Sequence, residues 1–232
     1  ISWKGVFVFL ALIGVIVLIF SFRLKESLSV ENRLQGSIFS TFLTFGVIIK
    51  NRLFMSYVGI QSFLLGSMFA YIAASPFIFQ SFYGLSAFIF SLCFGANGAA
   101  LVIGANVGGK LPNRQALAIG VFAFVVAALY TIAVLIIQPY WLFVEIGFFA
   151  MLLLMGITFP AISSLAMESE RQYAGSASAL LGFAPFFLGG VVSPLVGIGN
   201  IFYSTSFVIL VCALLALSIY WVIRHKIPTS AE

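Results

Sequence analysis

Residues 110–141 read KLPNRQALAIGVFAFVVAALYTIAVLIIQPYW, and the order of residue types in that stretch decides the fold class. Lys110 and Arg114 stand at one end, Tyr140 and Trp141 at the other, and residues 116–137 between them hold no charged side chain. A helix rises about 1.5 Å per residue, so about 20 apolar residues cross the ~30 Å hydrocarbon core of a bilayer. Tyr and Trp favour the membrane–water boundary, where an apolar ring meets a polar tip. A stretch flanked in this way is a membrane-spanning helix with one basic end and one aromatic end.

The same unit recurs along the chain. Apolar blocks of spanning length lie at about 5–22, 52–76, 84–106, 116–137, 142–163, 174–195 and 201–223. Arg23, Lys25, Arg33, Lys50 and Arg52 share the connection after the first block; Lys110 and Arg114 follow the third. Arg171 follows the fifth, and Arg224 and Lys226 follow the seventh. The alternate connections carry no Lys or Arg, and only Lys4 falls on their side. Short loops rich in Lys and Arg stay in the cytoplasm, so the chain is predicted to start outside and end inside. Trp3, Tyr140, Trp141 and Tyr203 would form an outer aromatic belt, and Tyr220 and Trp221 the inner boundary of the last span.

Composition excludes several kinds of chemistry. The chain is 62% hydrophobic and 7% charged, far too little charged surface for a soluble domain of this size. The net charge of +5 is spread over thin cytoplasmic loops and suits anionic lipid headgroups, so no nucleic-acid partner is expected. The sequence contains no Asp, and its one His, His225, lies beyond the last span. An intramembrane Ser–His hydrolase or a paired-Asp protease therefore has no parts. Cys93 and Cys212 lie inside spans without metal or redox spacing, and they read as small buried apolar residues. No phosphate-binding loop is present. An enzyme, a metal site and a bound cofactor are all unexpected.

Seven spans divide most naturally into one plus six. The chain lacks an initiator Met and opens almost directly on a span, and paired-repeat transporters favour even counts. Residues 1–22 are then expected to be the last helix of a missing N-terminal half. Residues 23–51 are a cytoplasmic linker, 52–226 a six-helix bundle and 227–232 a cytoplasmic tail. Within the linker, Leu34, Ile38, Phe42, Phe45 and Ile49 recur at helical spacing, which predicts an amphipathic helix on the membrane surface. The bundle divides into triplets 52–137 and 142–223, joined by short uncharged turns at Pro76 to Ser86, Gln138–Pro139 and Gly197 to Asn200. An inverted pair of triplets is permitted by this pattern. Small residues crowd the third span (Gly95, Gly98, Ala99, Gly104, Gly108) and the sixth (Ala174 to Ala179, Gly182), where they let helix backbones approach closely. Pro160, Pro185 and Pro194 are expected to bend the fifth and sixth spans.

Several segments, in order, resemble the bicyclomycin-resistance (Bcr/CflA) branch of the major facilitator superfamily. Ser2-Trp3-Lys4-Gly5-Val6-Phe7 is similar to that branch's entry into its sixth helix. Phe69-Ala70-Tyr71-Ile72-Ala73-Ala74-Ser75-Pro76-Phe77, with Tyr83-Gly84-Leu85-Ser86, resembles its seventh helix and outer loop. Thr158-Phe159-Pro160-Ala161 and Ala174-Gly175-Ser176-Ala177-Ser178-Ala179-Leu180 resemble its tenth and eleventh helices. Gly104-Ala-Asn-Val-Gly108-Gly-Lys110 is similar to a worn copy of the superfamily's cytoplasmic Gly/Asp/Arg signature, without its acid. The resemblance implies the sixth to twelfth helices of a twelve-helix drug:proton antiporter in a bacterial inner membrane. It implies a proton gradient instead of a cofactor. Its partners would be lipids, a small-molecule substrate and the N-terminal half of the same polypeptide.

Five residues are candidates for transport. Glu145 is the one acid well placed within a span; it is either a proton carrier or cation partner, or a shallow carboxylate near a helix N-terminus and water. Tyr57 and Gln61 share one face of the second span, and Asn97 lies mid-span in the third. These three either line a cavity or hydrogen-bond neighbouring helices. Lys110 serves topology and headgroup contact, and the resemblance adds a cytoplasmic latch. Arg171, Glu168 and Glu170 read as a solvated loop cluster. Two rivals stand beside the exporter: a stand-alone seven-helix receptor or light sensor, and a same-fold transporter of nucleosides or nutrients. The final span has no Lys for a retinal Schiff base, which speaks against the light sensor.

Overall fold

Pro76 decides how the first helix of the bundle ends. The computed structural model describes residues 3–23 and 44–227, and there α2 (Arg52–Pro76) does not stop at the proline but continues as a π-helical turn over Phe77–Phe82. Proline has no N–H to give the preceding turn, and the wider turn carries the chain on with altered hydrogen bonding. The uncharged turn expected from Pro76 to Ser86 is therefore only its last part, Tyr83 to Ser86, where Gly84 takes a positive φ of 69°.

The other long helices are α1 (Trp3–Ser21), α3 (Ala87–Gly108), α4 (Asn113–Ile137), α5 (Trp141–Ser169), α6 (Ala174–Val196) and α7 (Ile201–Ile223). All seven are long and apolar enough to cross a membrane, and no strand occurs among the described residues. The expected all-α, seven-span class is what the chain adopts. α5 runs six residues beyond the expected 163, ending at a short 3-10 turn over Arg171–Tyr173. Pro160, Pro185 and Pro194 all lie inside continuous helices.

Local sequence explains the boundaries. The Asn51 side chain accepts from the backbone N–H groups of Leu53 and Phe54 at 3.0 and 3.2 Å, and so caps α2. Ser86 and Asn200 cap α3 and α7 in the same manner. These oxygens satisfy donors that a helix start leaves free. α4 ends where Gln138 turns left-handed, with φ 54°, and Pro139 forbids its continuation.

The chain forms two units, Ile1–Ser40 and Thr41–Glu232. The first holds α1, which is apolar around its whole circumference and has no polar stripe, as suits a helix surrounded by lipid or by other helices. The amphipathic helix expected within 34–49 falls largely outside the described residues; its described part, 44–48, is helical.

In the second unit α2 packs most extensively on α6 and α7, while α5 packs on α3 and α4. α4 also meets α7, and α2 meets α5. Exchanging α2 with α5, α3 with α6 and α4 with α7 returns the same set of principal contacts. That is the relation expected of two three-helix repeats of opposite topology. α2 and α5 form the interior, and α3 and α6 are the least buried of the six.

Glycine sets how closely α3 and α5 approach. A Cβ on Gly104 would overlap the Leu153 carbonyl oxygen, one on Gly108 the Ile157 carbonyl, and one on Gly156 the Leu101 carbonyl. Gly104 and Gly108 lie four residues apart on one helix face, the spacing that brings helix backbones together in lipid. Gly95 and Gly98 on the same helix meet nothing within 4 Å.

Candidate functional site

Polar side chains are scarce inside this bundle, and three of them converge where α2, α3 and α5 meet. Asn97, at the middle of α3, donates from Nδ2 to the Tyr71 hydroxyl on α2 at 2.9 Å. Glu145 lies on α5, about 6 Å along the axis from the helix start at the usual rise. Its carboxyl interacts with the Asn97 amide, but the two close no hydrogen bond, and both carboxyl oxygens are buried without a partner. The Asn97 Oδ1 atom is likewise buried and unpartnered. Tyr71, Asn97 and Glu145 are 2%, 1% and 8% exposed.

Aromatic rings wall this cluster. Phe148, one turn beyond Glu145, packs on Tyr71 with ring centroids 4.7 Å apart, and Phe94, one turn before Asn97, stacks on Tyr71 at 5.9 Å. The placement follows from helix periodicity, since residues three apart share a face. Cys93 lies within electrostatic reach of Glu145. The two described thiols, Cys93 and Cys212, are free and buried, and no His, Cys or Glu grouping suited to a metal ion occurs among the described residues.

Among the described residues, the cluster offers three unsatisfied acceptor oxygens and no cation. A bare carboxylate in such surroundings is expensive, and a proton or a cationic group would satisfy it. The reading of Glu145 as shallow and near water does not describe this geometry, because its side chain turns inward.

The other candidates are elsewhere. Tyr57 and Gln61 sit 14 and 10 residues before Tyr71 on α2, roughly 21 and 15 Å along the axis, nearer the charged connections. The Tyr57 hydroxyl and Gln61 Oε1 are buried without hydrogen-bond partners, and Tyr57 is within electrostatic reach of Glu168. Lys110 is exposed in the turn between α3 and α4. Of the loop cluster, Arg171 and Glu168 form an exposed pair at 3.4 Å. Glu170 departs from the solvated role expected of it: it accepts from Asn51 Nδ2 at 2.6 Å and ties the start of α2 to the end of α5. The side chain of Asn51, already oriented as a helix cap, brings this bond within reach.

Residues 1–194 match the family model described as Major Facilitator Superfamily. The chain belongs to the major facilitator superfamily. Members of that superfamily are transporters and not enzymes, and the stand-alone receptor or light sensor is thereby set aside. The chain is 37% identical over 204 residues to YdgK, an uncharacterized MFS-type transporter of Bacillus subtilis, covering 86% of this chain and 51% of that protein. It is 26% identical over 209 residues to a bicyclomycin resistance protein homolog of Haemophilus influenzae, covering 84% of this chain and 50% of that protein. The chain thus spans about half the length of the curated relatives it matches.

Within this major facilitator chain, Tyr71 is the member of the polar cluster that the sequence does not single out. It stands in the Phe69–Phe77 segment that carried the resemblance, yet a tyrosine amid Phe, Ala and Ile reads as packing. The available signal was the shared depth of Tyr71 and Asn97 in neighbouring spans. The segment Gly104 to Lys110, similar to the superfamily's cytoplasmic signature, closes α3 with two glycines pressed on α5.

Proposed function

We propose that this chain is the C-terminal portion, the sixth to twelfth helices, of a secondary exporter of the bicyclomycin-resistance branch. It would work in the bacterial inner membrane with the N-terminal half of the same polypeptide. The two halves rock about a central cavity, moving a small amphipathic compound outward as protons enter. The observation that carries proton coupling is Glu145, an acid buried inside a membrane bundle with neither oxygen satisfied. The relative with bicyclomycin resistance in its name supports the drug class, and the half-length match to both relatives supports the partition into halves. The Lys- and Arg-bearing connections are cytoplasmic on this reading, which puts Glu145 toward the outer side. Asn97, Tyr57 and Gln61 face the bundle interior at successive depths, and Lys110 guards the cytoplasmic end.

The test uses the full-length gene expressed in a susceptible bacterium and everted vesicles made from it. Proton-driven accumulation of a lipophilic drug in those vesicles is expected for the parent and is expected to be abolished by Glu145→Gln. Full retained activity in the variant removes the coupling role. Accumulation only in right-side-out vesicles instead marks an importer of the same fold.

A further inference from the structure

We propose that Asn97 senses the protonation state of Glu145 by turning its side-chain amide over, and that Tyr71 carries the result to α2. The inference rests on the reading of Glu145 as a proton-exchanging group and adds two positioning residues to it.

The argument begins with what each group can offer. A carboxylate only accepts hydrogen bonds, whereas a protonated carboxyl also donates one. An asparagine amide has two donors at one end and an acceptor at the other, and the ends are nearly equal in size. Asn97 therefore suits a charged Glu145 with its NH₂ end and a protonated Glu145 with its carbonyl end, and reversing it requires little repacking. The structure turns the amide as in the first arrangement, without closing a hydrogen bond to Glu145. Nδ2 donates to Tyr71 at 2.9 Å, the same amide interacts with the Glu145 carboxyl, and Oδ1 is buried with nothing to accept from. A proton arriving on Glu145 supplies the O–H that Oδ1 lacks. The proton stays on Glu145; neither Asn97 nor Tyr71 gains or loses one.

Tyr71 makes the reversal transmissible. Its hydroxyl accepts from Nδ2 in the arrangement seen, and it can donate to Oδ1 in the reversed one. The α2–α3 hydrogen bond thus survives both states with opposite direction, and the phenol rotates between Phe94 and Phe148. Few other groups compete. Among the described residues, the titratable neighbours of Glu145 are Tyr71 on α2 and the Cys93 thiol on α3. On α4, Tyr130 turns its hydroxyl to the Phe143 carbonyl. The basic residues of α2 and α4, Arg52 and Arg114, stand at the far ends of those helices, and α3 and α6 hold none.

The experiment is infrared difference spectroscopy on the full-length protein in nanodiscs, with ring-labelled tyrosine and a stepped pH. Three bands are expected to change together: a carboxyl band lost in Glu145→Gln, an amide band lost in Asn97→Ala, and a phenol band lost in Tyr71→Phe. In Asn97→Ala the Glu145 band should remain and the Tyr71 response should disappear. A Tyr71 response that persists without Asn97 overturns the relay and leaves Glu145 as a proton carrier. Absence of any Glu145 band across the pH range overturns both. Should Asn97→Ala fail to fold, Tyr71→Phe keeps the ring packing and decides the matter. The relay requires the Glu145 band to shift in that variant, and an unchanged band overturns it.

Discussion

Helices α3 and α5 touch in two places that are built on opposite principles. Toward the charged connections, Gly104, Gly108 and Gly156 press backbone on backbone, and there is no room for one added carbon. Farther along the same pair, Asn97 and Glu145 face each other with acceptor oxygens unsatisfied and one hydrogen bond leading off to Tyr71. A glycine seam has a single arrangement, since neither backbone can yield. A polar cluster with spare acceptors has more than one way to pair its hydrogen bonds. The difference teaches that one helix pair can be fixed at one end and adjustable at the other.

Substitutions at the two contacts test this contrast. Gly104→Leu is expected to destabilise the bundle most, by about 3 kcal/mol or more, because overpacking against backbone finds no rotamer that relieves it. Unfolding in detergent would measure this, and a small change would mean that the seam has slack. Tyr71→Phe should cost about 1–3 kcal/mol, the range for leaving a buried donor such as Asn97 Nδ2 without its partner. Glu145→Gln should hold or raise the unfolding midpoint, within about 1 kcal/mol, since a neutral side chain relieves a buried unpaired acid. A clear loss of stability there would mean that the carboxyl is structurally satisfied. Gly98→Ala should stay within about 0.5 kcal/mol, as open space surrounds that position, and it serves as the control for Gly104→Leu.

Much of the architecture was legible because a bilayer leaves few options. The alternation of Lys110 and Arg114 with Tyr140 and Trp141 announced a span, and its repetition announced the bundle. The helix ends at Asn51 and Ser86 follow from side-chain chemistry visible in the string. What escaped was whatever depends on a third helix. Glycines 98 and 104 look alike in sequence, yet only one faces α5, and nothing in the local pattern distinguishes them. Glu145 is legible as an acid in a span, but its inward direction depends on how α5 rotates against α3. Glu170 looked solvated because its partner, Asn51, is distant in the chain. Tyr71 stands among Phe, Ala and Ile, where a hydroxyl gives no local sign of its partner.

The exchange of partners between the two triplets bears on how the protein is made. α2 finds its main partners in α6 and α7, so the first triplet is synthesised before the surfaces that cover it exist. At usual synthesis speeds, the roughly 90 residues from the end of α4 to the end of α7 take about 4–18 seconds to add. Until the covering helices follow, Tyr57, Gln61, Tyr71 and Asn97 must be shielded by lipid, by the insertion machinery or by each other. A ribosome that stalls after α4 would therefore leave an unfinished intermediate, one that membrane quality control can recognise by its uncovered polar groups.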